Sequence, residues 1–356
     1  MRRALLALCL LAGACNSAPK DDGTAQPPAP TTAAPTTAAA TCEGIGPAPT
    51  SDPEITFVAD GRLQAVSADG TGLRCLAEGV PAVANASMAW GGAADRVLLP
   101  PTSVFLADRK VSADVGPKAI ATLSRPTGTS VLAVGNDHKL RKHPIEGGPF
   151  TDISFLARTD EAVYHPGGRF IAAVGLDHNG GYGISLATNQ GKDARKLADG
   201  ERAGRIYSLA FSQDGEQLWF LADHGDHGDV HQLDLRTAAL TTLSQANKPY
   251  ARVIASAFTR TQAVTTNKCE SLANGLGVQP SGRLAERTLE PVGFLADGRL
   301  VVLARASGCS GTGDVHVLGP GSTDPPALAR SVESVAIRQP LPPPGELPNA
   351  INPAPA

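Results

Sequence analysis

The sequence predicts an all-β protein, a β-propeller of four-stranded blades. Three observations carry this. Short segments with period-2 alternation of apolar and polar residues run through the middle of the chain, separated by Gly and Asp turns. The pattern repeats about every 40 residues. The same unit of four hairpin-linked segments can be read in successive copies.

The clearest unit begins at Ile206-Tyr207-Ser208-Leu209-Ala210-Phe211 and turns through Ser212-Gln213-Asp214-Gly215. It continues as Gln217-Leu218-Trp219-Phe220-Leu221-Ala222, then Asp229-Val230-His231-Gln232-Leu233, and closes with Ala239-Leu240-Thr241-Thr242-Leu243. The unit recurs from Ala162 to Leu197, again around Ile120 to Val134, and again from Pro291 to Leu303. Turn glycines Gly128, Gly168 and Gly215 are 40 and 47 residues apart, and Gly298 follows Gly215 by 83, two steps of about 41. One four-stranded sheet has two apolar faces and cannot hide both, so several copies must stack around a ring. Seven blades fit the length best, and six or eight also satisfy the spacing. The stretches 88–115 and 250–290 mark their blades poorly. Ser334-Val335-Ala336-Ile337-Arg338 reads as a first strand without followers. Ile55-Thr56-Phe57-Val58, Leu63 to Ser67 and Leu73 to Leu76 read as followers without a first strand. The two chain ends therefore share one blade, which removes exposed sheet edges.

Composition agrees. Hydrophobic residues make up 42% of the 356 residues and aromatics only 4%, so the core of the 54–339 domain is built from Ala, Val, Leu and Ile. Lys and Arg (31) nearly balance Asp and Glu (34), for a net charge of -3. That balance gives no basic footprint for nucleic acid.

Before the repeat, Arg2 and Arg3 precede the short apolar run Ala4 to Ala14, which is too short to span a bilayer and reads as a secretory signal over 1–14. The segment Leu11-Ala12-Gly13-Ala14-Cys15 resembles a bacterial lipobox, with Ala12 where Leu is usual. The resemblance implies cleavage before Cys15 and lipidation of its sulfur; an ordinary signal cleaved near Ala14 is the alternative. Residues 15–53 carry the lipidated Cys and a Pro/Thr/Ala stalk that cannot pack a core, and 340–356 is a Pro-rich unstructured tail. The expected location is the extracytoplasmic side of the cell envelope, with the membrane bound through the lipid.

The strand-Asp-Gly-strand turns and the segment Asp69-Gly70-Thr71-Gly72-Leu73-Arg74-Cys75-Leu76 resemble repeats of the TolB-like (WD40-like) propeller family over residues 54–339. The family's Ser-Pro-Asp-Gly turn is complete in no blade. Pro166-Gly167-Gly168 and Ser212-Gln213-Asp214-Gly215 each keep part of it, and residues 15–53 read as a stalk where the family carries an α/β domain. The resemblance implies an extracytoplasmic binding scaffold without catalysis.

Cys42, Cys75, Cys269 and Cys309 remain after processing. Four thiols in an exported protein read as two disulfides, with free buried thiols as the alternative. Position favours Cys269 with Cys309 and Cys42 with Cys75.

Candidate chemistry centres on three Asp-His pairs between second and third strands of consecutive blades: Asp137-His138, Asp177-His178 and Asp223-His224. The last extends through Asp226, His227 and Asp229. Carboxylate with imidazole suits zinc or another divalent transition metal, although Asp is also common in polar turns. No His-Glu-x-x-His, Gly-x-Ser-x-Gly or Gly-Lys-Ser/Thr signature occurs. The function expected is a membrane-anchored binding propeller for a protein, peptide or envelope polymer, with no required cofactor. The alternative is a metal-dependent propeller enzyme, a lactonase-like hydrolase.

Overall fold

The computed structural model describes residues 41–339, apart from 81–87, 92–93, 100–102, 107–109, 113–119, 124–127, 201–203, 213–214, 247–249, 256–261, 267–271, 275–281, 321 and 323. The described residues form seven antiparallel sheets, six of four strands and one of three. The first comprises β1 (Glu54–Ala59), β2 (Arg62–Ser67) and β3 (Arg74–Glu78). The second comprises β4 (Ala89–Trp90), β5 (Arg96–Leu99), β6 (Ser103–Leu106) and β7 (Lys110–Ser112). The third holds β8 (Ile120–Leu123), β9 (Ser130–Val134), β10 (Leu140–Pro144) and β11 (Thr151–Asp152). The fourth holds β12 (Arg158–Tyr164), β13 (Phe170–Leu176), β14 (Tyr182–Thr188) and β15 (Arg195–Asp199). The fifth holds β16 (Arg205–Phe211), β17 (Gln217–Asp223), β18 (Gly228–Asp234) and β19 (Leu240–Ala246). The sixth is β20 (Tyr250–Ala255), β21 (Gln262–Thr266) and β22 (Leu272–Asn274). After the one-turn helix α1 (Gly282–Ala285), the seventh is β23 (Thr288–Phe294), β24 (Leu300–Arg305), β25 (Gly313–Leu318) and β26 (Ala329–Val332). The last strand, β27 (Ser334–Arg338), returns to the first sheet and pairs with β1, Val335 opposite Phe57 and Ile337 opposite Ile55. Among the described residues no helix is long and apolar enough to cross a membrane.

Each sheet buries its faces against the next. The second strands are the most apolar, β17 and β24 being buried almost throughout, because they are flanked by both hairpin partners and by neighbouring sheets on both faces. Alternation divides the side chains of β17 between two cores. Leu218, Phe220 and Ala222 pack with Ala172, Val174 and Ile184 of the fourth sheet. Trp219 and Leu221 face the other way, toward Tyr250 and Val253 of the sixth. Similar clusters join the first sheet to the second, the third to the fourth, and the seventh to the first.

The first-to-second-strand turns also touch from sheet to sheet. His165 is fully buried, takes an amide hydrogen from Gly167 on Nδ1, and places Nε2 3.1 Å from the carbonyl of Gly215 in the next sheet's turn. Gly215 has φ +72°, and a Cβ there would meet His165 Nε2 at 2.0 Å. Only glycine satisfies both the positive φ and that approach.

The structure extends the ordered domain beyond its expected start. Residues 41–53, read by composition as the end of the stalk, pack on the first sheet. Ile45 is buried with Val58, Leu63, Leu76 and Trp90, and the Glu43 amide donates to the Cys75 carbonyl at 3.0 Å. One apolar residue and one backbone bond escape a compositional reading that is dominated by Pro and Thr.

Candidate functional site

Among the described residues, the β17–β18 hairpin is where three metal-ligating side chains come together. Asp223 pairs with Gly228, Ala222 with Asp229, and Phe220 with His231. Asp229 and His231 are two residues apart on one strand, so both project from the same face. That face packs toward the fourth sheet, and the His231 ring stacks on Phe220 at 5.0 Å. His224 and His227 lie in the connecting turn, their rings stacked at 4.4 Å and nearly parallel. The Gly225 amide donates to Asp223 Oδ1 at 2.7 Å, so the Asp223 side chain caps its own turn.

The result is one buried carboxylate among three imidazoles. His224 Nε2 is 3.3 Å and His231 Nε2 is 3.8 Å from Asp229 Oδ2. Neither contact is aligned as a hydrogen bond. Among the described residues, His224 Nε2, His231 Nε2 and Asp229 Oδ1 are buried without a hydrogen-bond partner. Ligand atoms of His224, His227 and Asp229 lie within 4.8 Å of one another. Thr242 Oγ1 lies 3.2 Å from His231 Nδ1, and Asp226 Oδ1 lies 2.6 Å from His227 Nδ1. Burial pushes the His231 imidazole below its ordinary range, against the opposing pull of Asp229. The hydrogen bond from His227 holds Asp226 low.

Of the residues singled out in the sequence, the structure thus brings together His224, His227 and Asp229, with Asp226 behind His227. Asp223 is turned away as a cap. His231 was missed; its signal was the His-x-x-His-x-Asp-x-His spacing, whose last member sits inside an apolar strand and reads as core.

The other two pairs occupy the corresponding turns but do not join this group. Asp137 accepts from the Lys139 amide at 3.2 Å and from Arg141, whose guanidinium holds its carboxyl low. His138 Nδ1 is 3.2 Å from Asp160 Oδ1, and its carbonyl accepts from Thr159 at 2.8 Å. Asp177 accepts from the amides of Gly181 and Asn179, which lower its pKa, while His178 Nε2 lies 3.1 Å from the Ser154 carbonyl. Each turn therefore fastens to its own neighbourhood, which is the polar-turn role open to Asp from the start.

Cys42 and Cys75 are joined in a disulfide. Cys309 is disulfide-bonded as well; Cys269 and Cys15 lie outside the described residues.

Around the inner strands, consecutive sheets are linked through bulges. β12 shifts register between Thr159 and Glu161, and β16 between Tyr207 and Ala210. The bulge turns the Ser208 and Leu209 amides toward the Glu161 carboxylate, at 2.7 and 2.8 Å, and Ser208 Oγ accepts from the Val253 amide at 3.1 Å. Burial pushes the Glu161 carboxyl above its ordinary 4.5, the two amides opposing. The folded state then holds this proton more tightly than the unfolded chain. Its stabilising contribution is complete below pH 4.5 and is lost as pH rises through the elevated folded value. Glu161→Gln abolishes that titration. The melting temperature of the variant minus that of the parent is therefore expected to climb from acid to neutral pH; a difference constant with pH would contradict the assignment.

Sheets joined face to face and closed by the chain's own ends define the class: a β-propeller domain with a polar rim of second-to-third-strand turns. No family model matches the chain, and no curated protein matches it. Among solved structures it is similar to TolB from Acinetobacter baumannii (15% identity, 74% of this chain and 65% of that chain, TM-score 0.42). It is also similar to a chain of a nidogen/laminin complex (12% identity, 81% and 98%, TM-score 0.42) and to an oligogalacturonate lyase from Vibrio parahaemolyticus (10% identity, 68% and 79%, TM-score 0.44). At such values the assignment of the fold rests on the sheets themselves.

Proposed function

We propose that this chain is an exported, lipid-anchored binding protein, a seven-bladed propeller that presents the rim of its second-to-third-strand turns to a protein or envelope-polymer partner. The observation that carries this reading is the rim of the third to fifth sheets. There Asp137, His138, His178 and Asp226 are exposed on turns that carry internal hydrogen bonds, with exposed Arg158 at the start of β12 beside them. Arg158 Nε and His138 Nδ1 both meet Asp160 Oδ1, at 3.0 and 3.2 Å, which locks one sheet's turn to the next sheet's inner strand. Rigid scaffolds that display polar loops are suited to recognition, since little ordering entropy remains to be lost on binding. The positively charged start, the apolar run and Cys15 support export and anchoring, and the Pro/Thr stalk supports display at a distance from the membrane.

The test places a photo-reactive residue at His178, on this rim, or at the exposed Gln190, in the third-to-fourth-strand turn at the opposite end of the same sheet, in the full chain in intact cells. Adducts of defined mass are expected from position 178 and not from 190, with the protein in the membrane fraction and released from it by Cys15→Ser. Adducts from 190 alone, or equally from both, would overturn the rim assignment. A soluble parent protein would overturn the anchor.

A further inference from the structure

We propose that His224, His227 and Asp229, whose ligand atoms lie within 4.8 Å of one another, bind a divalent transition ion of the zinc class, with His231 beside Asp229. The inference does not rest on the binding-rim reading, since the group lies in the seam between two sheets. Buried polar atoms in folded proteins almost always have partners, and here two imidazole nitrogens and a carboxylate oxygen lack them together. The side chains of His231 and Asp229 are 7% and 9% exposed, so bulk water does not substitute.

The separations fit a shared ion. Zinc holds imidazole nitrogen and carboxylate oxygen at about 2.0–2.1 Å in a tetrahedron, which sets neighbouring ligand atoms about 3.3 Å apart. His224 Nε2 and His231 Nε2 stand 3.3 and 3.8 Å from Asp229 Oδ2, close but not aligned for hydrogen bonding. A simple ion pair between His224 and Asp229 would instead point its N–H at the oxygen. The outer partners are in place too. The Thr242 hydroxyl at His231 Nδ1 and the Asp226 carboxylate at His227 Nδ1 leave the opposite nitrogen of each ring for the ion. Such partners fix the tautomer and orientation of ligating histidines. Two or three imidazoles with one carboxylate favour zinc, cobalt or nickel over calcium, which requires a cage of oxygens.

Strand ligands this buried make the role structural. The ion would tie the 224–227 turn to β18 beside the fourth sheet, leaving His227, with its half-exposed side chain, on the outer side.

The test titrates Zn2+ into the chelator-treated full chain by calorimetry and follows Co2+ by its visible absorption. One ion per chain is expected, with a cobalt spectrum of low-coordinate nitrogen and oxygen ligation and a higher melting temperature with metal. Asp229→Asn and His231→Gln are each expected to weaken binding by more than about tenfold, and Asp226→Asn by about tenfold. Asp223→Asn, which alters only a turn cap, is expected to bind as the parent does. Should the strand variants fail to fold, His224→Gln, on the turn, serves the same purpose. A parent chain that takes up no Zn2+, or a folded His224→Gln that binds as tightly as the parent, would overturn the site.

Discussion

Arg338→Ala is expected to destabilise the domain by about 3–5 kcal/mol, the cost of breaking a buried charge cluster by removing one partner. The side chain is fully buried. Its Nε donates to the Ala94 carbonyl at 2.8 Å, Nη1 to Glu54 Oε2 at 3.1 Å, and Nη2 to the carbonyls of Gly46 and Pro47 at 2.9 and 2.7 Å. The guanidinium also lies 4.7 Å from the Trp90 ring centroid. Burial lowers its pKa, but a guanidinium stays charged at any working pH, so removal leaves three carbonyls and part of the Glu54 carboxylate without a donor. One residue of the last strand, β27, thus joins the 41–53 segment, the first sheet and the second sheet. Arg338→Lys keeps the charge but not the planar fork, and should lose an intermediate amount. The comparison is Arg236, whose pair with Glu216 is exposed; Arg236→Ala should cost under about 1 kcal/mol. Urea denaturation of the three variants decides the matter, and an Arg338→Ala loss no larger than that of Arg236→Ala would mean the cluster does not hold the ring closed.

Loss of the Cys42–Cys75 disulfide is expected to cost about 3–4 kcal/mol, the loop-closure entropy for a separation of 33 residues in the chain-entropy model. The bond fastens the 41–53 segment to β3, the outer strand of the closing sheet, beside buried Ile45. Arg338 grips the same segment through Gly46 and Pro47, so the two sites share a partner and their effects should not add. In Cys42→Ser/Cys75→Ser, proteolysis within 41–53 should precede global unfolding. Equal denaturation midpoints for the double variant and the oxidised parent would show that the bond constrains nothing in the unfolded chain.

The repeat was legible because blades are built from local pairings. The largely apolar run 217–222, the Gly215 turn and the hairpin to 229–233 are each set by residues close in sequence. The second and sixth sheets were poorly marked because their strands are short, only two residues in β4 and three in β22, too few for a period to register. The Asp-His turns were legible as polar turns of equivalent position. Which of them gathers ligands was not, since that depends on the turn folding His224 and His227 back onto Asp229 of β18, which no alternation records.

The amino-acid sequence by itself determined the strand period, the turn chemistry and the sharing of one sheet between the two chain ends, because hairpin register and edge pairing are encoded over short stretches. Only the tertiary structure decided that Ile45 and Arg338 close the ring together, and that the turn residues His224 and His227 come together with the buried carboxylate of Asp229. Those contacts join segments up to 292 positions apart or depend on the depth of a seam between sheets, and no local pattern records either.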